Sequence, residues 1–392
     1  MTANKNSNYT VLEDPAVDAR IQKDLDYIVG ELVALLGESI RTILLCGGFG
    51  RGEGGVYFEN GRPRPLNDYD LTVVVYHSRA VCQKYGKQLS ELAQRWAEHV
   101  GIKQIDLAVL SAWQLAVPRN SVVRHEMKFG HKVLYGTVDF PMVSVRAERI
   151  PLDEGTRYFF TRSGGLLIAR LILDLWEELP EGERERNFII EMNKACMAMG
   201  DSRLIREHLY CCSYQTRLER IDPLRDGSPE TGWIIDGYQK AVRDKLEPDF
   251  SEADPTQFEA WWKEVSQAYL QEFLDFERLR LKNSFVSLPD YADTVIQWRV
   301  NTVQKLRRTL QAFVLRRPES TDEDQMRSIS MLLLAGREDP ACLMKANEFL
   351  QIPLSASWRE SVVKYLGLWH PEGIIKAWFD SQESLCEGEE GR

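Results

Sequence analysis

The stretch that decides the reading is Cys46-Gly47-Gly48-Phe49-Gly50-Arg51-Gly52-Glu53-Gly54, followed by Asn67-Asp68-Tyr69-Asp70-Leu71. It is entered from Thr42-Ile43-Leu44-Leu45-Cys46, a short apolar run that stops at a glycine pair, which is the pattern of a buried strand ending in a turn. It is left through Leu71-Thr72-Val73-Val74-Val75-Tyr76, a second run rich in β-branched residues and so a second strand. Residues 79–99 have the spacing of an amphipathic helix, and Gln104 to Leu110 read as a third strand. Upstream, residues 15–38 read as a helix with Ile21, Leu25, Ile28, Val29 and Leu32 on its apolar face. Strand, turn, strand, helix, strand describes a small α/β domain, placed here over residues 15–145.

The acids in this stretch carry the chemistry. Residues two apart on a strand point the same way, so Asp68 and Asp70 are expected to present both carboxylates on one side. Like charges held that close are costly unless a cation sits between them, and hard oxygen donors suit Mg²⁺ or Mn²⁺. Asp106 lies between Ile105 and Leu107 in the third run, where a charge is unexpected unless it faces a site. If the third strand lies beside the second, three carboxylates can hold two metal ions about 3.5–4 Å apart, an arrangement suited to in-line phosphoryl displacement. The glycine pair lets backbone N–H groups approach an anion, a following helix would add its dipole, and Arg51 is placed to touch phosphate oxygens. The alternative for Arg51 and Glu53 is a solvated pair on a loop.

Together these residues resemble the DNA polymerase β-like nucleotidyltransferase superfamily. Its signature is an apolar strand, Gly-Gly or Gly-Ser, a spacer, Asp-x-Asp and a third Asp on a later strand. The form Gly47-Gly48-Phe49-Gly50-Arg51-Gly52-Glu53 with Asn67-Asp68-Tyr69-Asp70-Leu71 is most similar to the nitrogen-regulatory uridylyltransferases and bacterial relatives of unassigned role. The resemblance covers about residues 40–110. It implies Asp68, Asp70 and Asp106 as catalytic and metal-holding residues, with Gly47, Gly48 and Arg51 at the nucleotide. The spacer from Gly48 to Asp68 is longer than the family shows, and Val56 to Pro65 look like a surface excursion around Asn60-Gly61. Lys194 to Asp201 is similar to a helix of several such enzymes in which a lysine reaches the triphosphate, which adds Lys194. Arg162 is a further candidate phosphate contact. On a bare helix reading, Lys194 is an ordinary surface lysine.

After about residue 153 strand signals nearly vanish. Amphipathic patterns run over roughly 155–179, 184–221, 231–246, 256–282, 290–316 and 324–337. The expected class is therefore α+β, a small mixed-sheet nucleotidyltransferase domain followed by a larger all-α region. The helical domain over 153–316 would close the cleft. A linker at 316–320 leads to a helical segment at 322–380 and an acidic tail at 384–392. The tryptophans at 261, 262, 298, 369 and 378 recur at core spacing rather than as a stacking platform. His99, His125, His131 and His208 lack ligand spacing and read as structural or surface residues.

The chain has 392 residues, 44% hydrophobic and 28% charged, with 49 Lys and Arg against 59 Asp and Glu for a net charge of −10. That charge weighs against a protein that grips long nucleic acid, but not against a small basic pocket for an NTP. Seven cysteines without a framework point to reduced thiols and a cytoplasmic protein. The polar first residues have no signal-peptide character, and no run of about 18 apolar residues would span a membrane. The expectation is a metal-dependent transfer of NMP from NTP, such as ATP, to a hydroxyl acceptor that is a small molecule or a protein. The competing readings are a non-catalytic nucleotide-binding regulatory module and a scaffold whose helices bind a partner.

Overall fold

The structure is a computed structural model that describes residues 9–59, 61–66, 68–102, 104–118, 120–143, 146–250, 254–300 and 323–369. The described chain divides into two compact units. Residues up to 155 together with 200–250 form one, and residues 156–199 with those from 254 onward form the other.

The first unit is built on a mixed four-stranded sheet of β1 (Ile40–Leu45), β4 (Tyr69–Val75), β5 (Ile105–Ser111) and β6 (Lys132–Gly136), in the order β5-β4-β1-β6. Strand β1 runs antiparallel to β4 and β6, whereas β4 and β5 are parallel. A parallel pair needs a crossover, and α3 (Ser78–Val100) supplies it before ending on Gly101 at φ 81°. Helix α1 (Pro15–Leu36) starts where the Asp14 side chain accepts from the Ala16 N–H and Pro15 occupies the first turn. Its buried Val17, Ile21, Leu25, Ile28, Leu32 and Leu36 recur at three to four residues, so one face is apolar. That face joins Ile43, Leu45, Leu71, Val73, Trp96 and Val100 in the main core on one side of the sheet. Ile28 and Leu32 are fully buried there and each contributes about 1.5–3 kcal/mol. The other side carries a smaller cluster of Leu44, Cys46, Val74, Leu115 and Met127. It is covered by α4 (Ala112–Ala116), which opens with a Ser111/Gln114 capping box, and α5 (Val122–Phe129).

Between β1 and β4 the chain makes the short helix α2 (Gly47–Arg51) and a hairpin of β2 (Val56–Glu59) and β3 (Arg62–Pro65). The surface excursion expected over Val56 to Pro65 takes the form of this hairpin, exposed at Phe58, Glu59, Gly61 and Arg62. Strand β6 was not anticipated. It is a half-exposed edge strand with little apolar pattern of its own, and its pairing with β1 defines it.

Helices α6 (Leu152–Asp174) and α7 (Glu183–Arg206) each cross the division between the units. The helix expected over 184–221 is two helices. After α7 the chain turns through His208 at φ 59° and restarts as α8 (Tyr214–Ile221), then α9 (Pro229–Leu246). Residues 200–250 therefore belong to the sheet-bearing unit, and the expected boundary near 145–153 does not divide it from everything that follows. Helical periodicity records that one face is buried and is silent about the partner.

The second unit is helical. Here α10 (Phe258–Leu281) and α11 (Leu288–Val300) are joined by helices over Glu323–Gly336, Pro340–Leu350 and Trp358–Trp369. Its core is aromatic. Phe159 meets Tyr269, Phe273 and Phe276 edge-on or tilted, and Phe188 stacks on Phe258 at 4.3 Å. Trp262 is buried and donates to the Leu166 carbonyl at 2.9 Å, the core role expected for it. The linker at 316–320, Trp378 and the acidic tail lie outside the described residues. No described helix is long and apolar enough to cross a membrane. Every described cysteine is free.

Candidate functional site

The end of β1 brings the glycine pair against the acids. The Cys46 N–H donates to the Asp70 carbonyl at 2.7 Å, which continues the β1–β4 ladder one residue past the strand. Gly47 then turns at φ 62°. A β-carbon built there would fall 1.8 Å from Oδ2 of Asp70. Glycine is required twice at this position, for its backbone conformation and because the Asp70 carboxylate occupies the space of a side chain. The helix that follows is only five residues long, so exposed glycine backbone rather than a macrodipole is what the turn offers.

Two of the three acids stand in register, and the charge of the third, Asp68, is felt at Asp70. Asp70 of β4 stands opposite Asp106 of β5 in the parallel register, so both side chains leave the same face of adjacent strands. Asp68 precedes β4, whose first residue is Tyr69. It reaches the cluster from the entering loop instead of from the strand. Asp70 is half-buried and its carboxyl is pushed up to about 6, first by burial and then by the charges of Asp106 and Asp68. Asp106 is exposed and accepts from Nε2 of Gln104. Among the described residues no group of three or more His, Cys, Asp or Glu is placed to hold a metal ion by itself. The fold supplies an acid pair in register with a third acid at its entrance. Such an open donor set fits a cation like Mg²⁺, which is commonly held by one or two carboxylates together with substrate phosphates.

Two of the basic residues that the sequence singles out belong to the second unit. Lys194 lies in the second unit, where its Nζ pairs with Oε1 of Glu191 at 2.7 Å, and Arg162 is a half-buried residue of that unit. The lysine whose charge is felt at Asp70 is Lys245, in the last turn of α9, with its Nζ 5.4 Å from the centre of the Tyr214 ring. Nothing in the sequence marks Lys245, since basic residues are ordinary at a helix C-terminus.

Arg51 and Glu53 are neither solvated nor directed at open space. Glu53 is 6% exposed and caps α8, accepting from Ser213 Oγ at 2.7 Å, Tyr214 N at 2.9 Å and Gln215 N at 3.3 Å. The Arg51 side chain is buried, with Nε 3.4 Å from Glu53 and Nη1 3.3 Å from Glu126, and its guanidinium lies 4.8 Å from the Tyr214 ring centre. On the far side of Glu126 stands Arg217, 1% exposed. It pairs with Glu126, donates to Asp201 at 3.0 Å, to Tyr210 Oη at 2.6 Å and to the Cys211 carbonyl at 2.6 Å. Asp201 also accepts from Tyr238 at 2.8 Å. Burial alone would raise Glu126, but Arg51, Arg217 and the Tyr210 hydroxyl outweigh it and hold the carboxyl down at about 2. None of Glu126, Arg217 or Lys245 was found from sequence. A charged residue on an apolar helix face is the trace that Arg217 leaves there. His125 packs on Phe129 at 4.8 Å and His131 bonds the Met127 carbonyl at 2.8 Å, the structural roles expected of them.

Comparison of the chain with protein families, curated proteins and solved structures finds no match.

Proposed function

We propose that the sheet-bearing unit is a metal-dependent nucleotidyltransferase that moves NMP from an NTP to a hydroxyl acceptor and releases pyrophosphate. The observation that carries this reading is the Asp70–Asp106 pair, in register across β4 and β5 and set directly over Gly47. A fold that holds like charges together without an internal counter-ion of equal size is built to receive a cation.

Asp70 and Asp106, with Asp68 at the entrance, would hold Mg²⁺ or Mn²⁺, which when bound neutralises the triphosphate and makes the acceptor hydroxyl more acidic. Gly47 and Gly48 leave backbone exposed for the phosphates, and the ammonium of Lys245 offsets part of the charge that gathers beside Asp70. The acceptor oxygen bonds to the α-phosphorus while the bond from that phosphorus to the bridging oxygen breaks. Pyrophosphate leaves with the electron pair, and the acceptor proton passes to the exposed carboxylate of Asp106. The net charge of −10 favours a small molecule or a protein as acceptor over long nucleic acid.

The test is incubation of the full chain with Mg²⁺, labelled NTPs and cell extract, read by mass spectrometry and by pyrophosphate release. Asp68→Asn is expected to abolish transfer and leave the fold intact. A variant that keeps full pyrophosphate release would sink the mechanism. Metal-dependent NTP binding without turnover on any acceptor would favour a regulatory nucleotide-binding module instead.

A further inference from the structure

We infer that Glu126 is the positioning residue of this site, its carboxylate clamping Arg51 of the glycine turn to Arg217 of α8. The inference rests on the nucleotidyltransferase reading only for its kinetic consequence. The clamp itself is geometric. Each oxygen of Glu126 serves a different arginine: Oε2 lies 3.3 Å from Nη1 of Arg51, and Oε1 takes Nη2 of Arg217 together with the Tyr210 hydroxyl at 2.6 Å. Among the described residues, Nη1 of Arg51 finds no well-directed hydrogen-bond acceptor, so the ion pair with Glu126 is what offsets its burial. Both guanidiniums lie over Tyr214, at 4.8 Å and 4.7 Å from the ring centre. Without the carboxylate between them, two buried cations would share one ring and repel.

The clamp reaches the acids through backbone packed too tightly to yield. A β-carbon on Gly130, at the end of α5, would fall 2.4 Å from Cγ of Arg51. One on Gly50 would fall 2.7 Å from the Gly130 carbonyl and 2.4 Å from that of Leu45. Helices α2 and α5 and the end of β1 therefore move together or not at all, and Gly47 under Asp70 moves with them. Arg51 acts on the site by fixing the turn, and Glu126 acts by fixing Arg51.

Glu126→Asp tests this. The variant keeps the charge and withdraws it by one methylene, about 1.5 Å, so it can serve one arginine but not both. Arg51→Lys is the second variant, which keeps the other charge and loses the fork. In the full chain, both are expected to unfold cooperatively at a lowered midpoint and to remain folded at the assay temperature. Amide hydrogen exchange across residues 47–54 should quicken by roughly tenfold. The KM for NTP should rise by about fivefold or more while kcat falls less, because the phosphate cradle loosens before the acids do. The double variant should lose little beyond either single one, since both break the same clamp. A folded Glu126→Asp protein with wild-type exchange at residues 47–54 overturns the proposal, as do two losses that simply add. A wild-type chain that releases no pyrophosphate defeats the nucleotidyl reading alone, and the exchange measurement still decides the clamp.

Discussion

Two charged regions adjoin in the first unit and follow opposite rules. At the strand ends, Asp68, Asp70 and Asp106 bring like charges together, and burial first and these charges second drive Asp70 up to about 6. Behind the glycine turn, Glu53, Arg51, Glu126, Arg217 and Asp201 alternate in sign, and Glu126 is driven down to about 2. The acids are the more open of the two, with Asp106 exposed where Arg217 is buried, but exposure is not what sets the two apart in kind. Compensation does. A charge that serves the fold is neutralised by the fold, whereas a charge left among its like is kept for something that arrives. The first region should therefore cost stability and supply activity, and the second should do the reverse.

The sharpest way to break that contrast is to remove one member from each side. Asp70→Asn relieves the repulsion, so the thermal midpoint should hold or rise, while transfer should fall at least about a thousandfold, roughly 4 kcal/mol in the barrier. Arg217→Ala leaves Glu126 and Asp201 facing a missing cation and should cost about 3–5 kcal/mol of stability. Denaturant unfolding and pyrophosphate release measured on the same preparations would read both. If Asp70→Asn destabilises as much as Arg217→Ala, the acids are structural and the contrast fails.

A smaller effect, opposite in sign for the two regions, lies in the pH dependence. Asp70 is raised from 3.8 to about 6, so the folded protein keeps its proton where the unfolded chain has lost it. Its contribution is fully present below about pH 4, is lost as pH rises to about 6, and stays lost above. Glu126 is lowered from 4.5 to about 2, so its contribution is present above about pH 4.5 and is lost as pH falls toward 2. The stability of wild type relative to Asp70→Asn should therefore decline between pH 4 and 6. A flat difference across that window would remove the like-charge account of Asp70. At pH 7, Mn²⁺ should raise the midpoint of wild type by mass action and leave Asp70→Asn unmoved.

The two regions were also unequally legible. The acids could be read because each stands in or beside a strand whose β-branched run and alternation are strong local signals, and because a carboxylate between Ile105 and Leu107 has no place in a core. Strand register then did the rest, since Asp70 and Asp106 meet simply by being partners across β4 and β5. The network could not be read. Arg51 and Glu53 find their partners at 126 and at 213–217, and no local pattern links a glycine turn to helices so far along the chain. Lys194 stood out because Lys194 to Asp201 resembles a helix of nucleotidyltransferases. Lys245 looked ordinary in the last turn of α9, and only the fold sets its charge near Asp70. Strand β6 was missed for a related reason: an edge strand with exposed Val133 and Tyr135 carries neither a buried run nor clean alternation.

The smallest effect tests whether Glu53 belongs wholly to the compensated side. Its carboxylate accepts from Ser213, Tyr214 and Gln215 at the start of α8 and also faces Nε of Arg51. Glu53→Gln keeps one acceptor oxygen for the helix and gives up the charge, so the loss is confined to the helix-end and arginine electrostatics, about 1 kcal/mol. For a unit of this size that is about 2–4 °C in the midpoint. Glu53→Ala also strips the acceptors from buried donors and should cost about 1–3 kcal/mol more. Neither substitution touches the acids, so kcat at saturating NTP should stay within about twofold of wild type for the Gln variant. Equal stability losses for Gln and Ala would mean that the charge alone matters and the cap does not. A collapse of kcat in a stable Glu53→Gln protein would move Glu53 across to the acids and erase the boundary between the two regions.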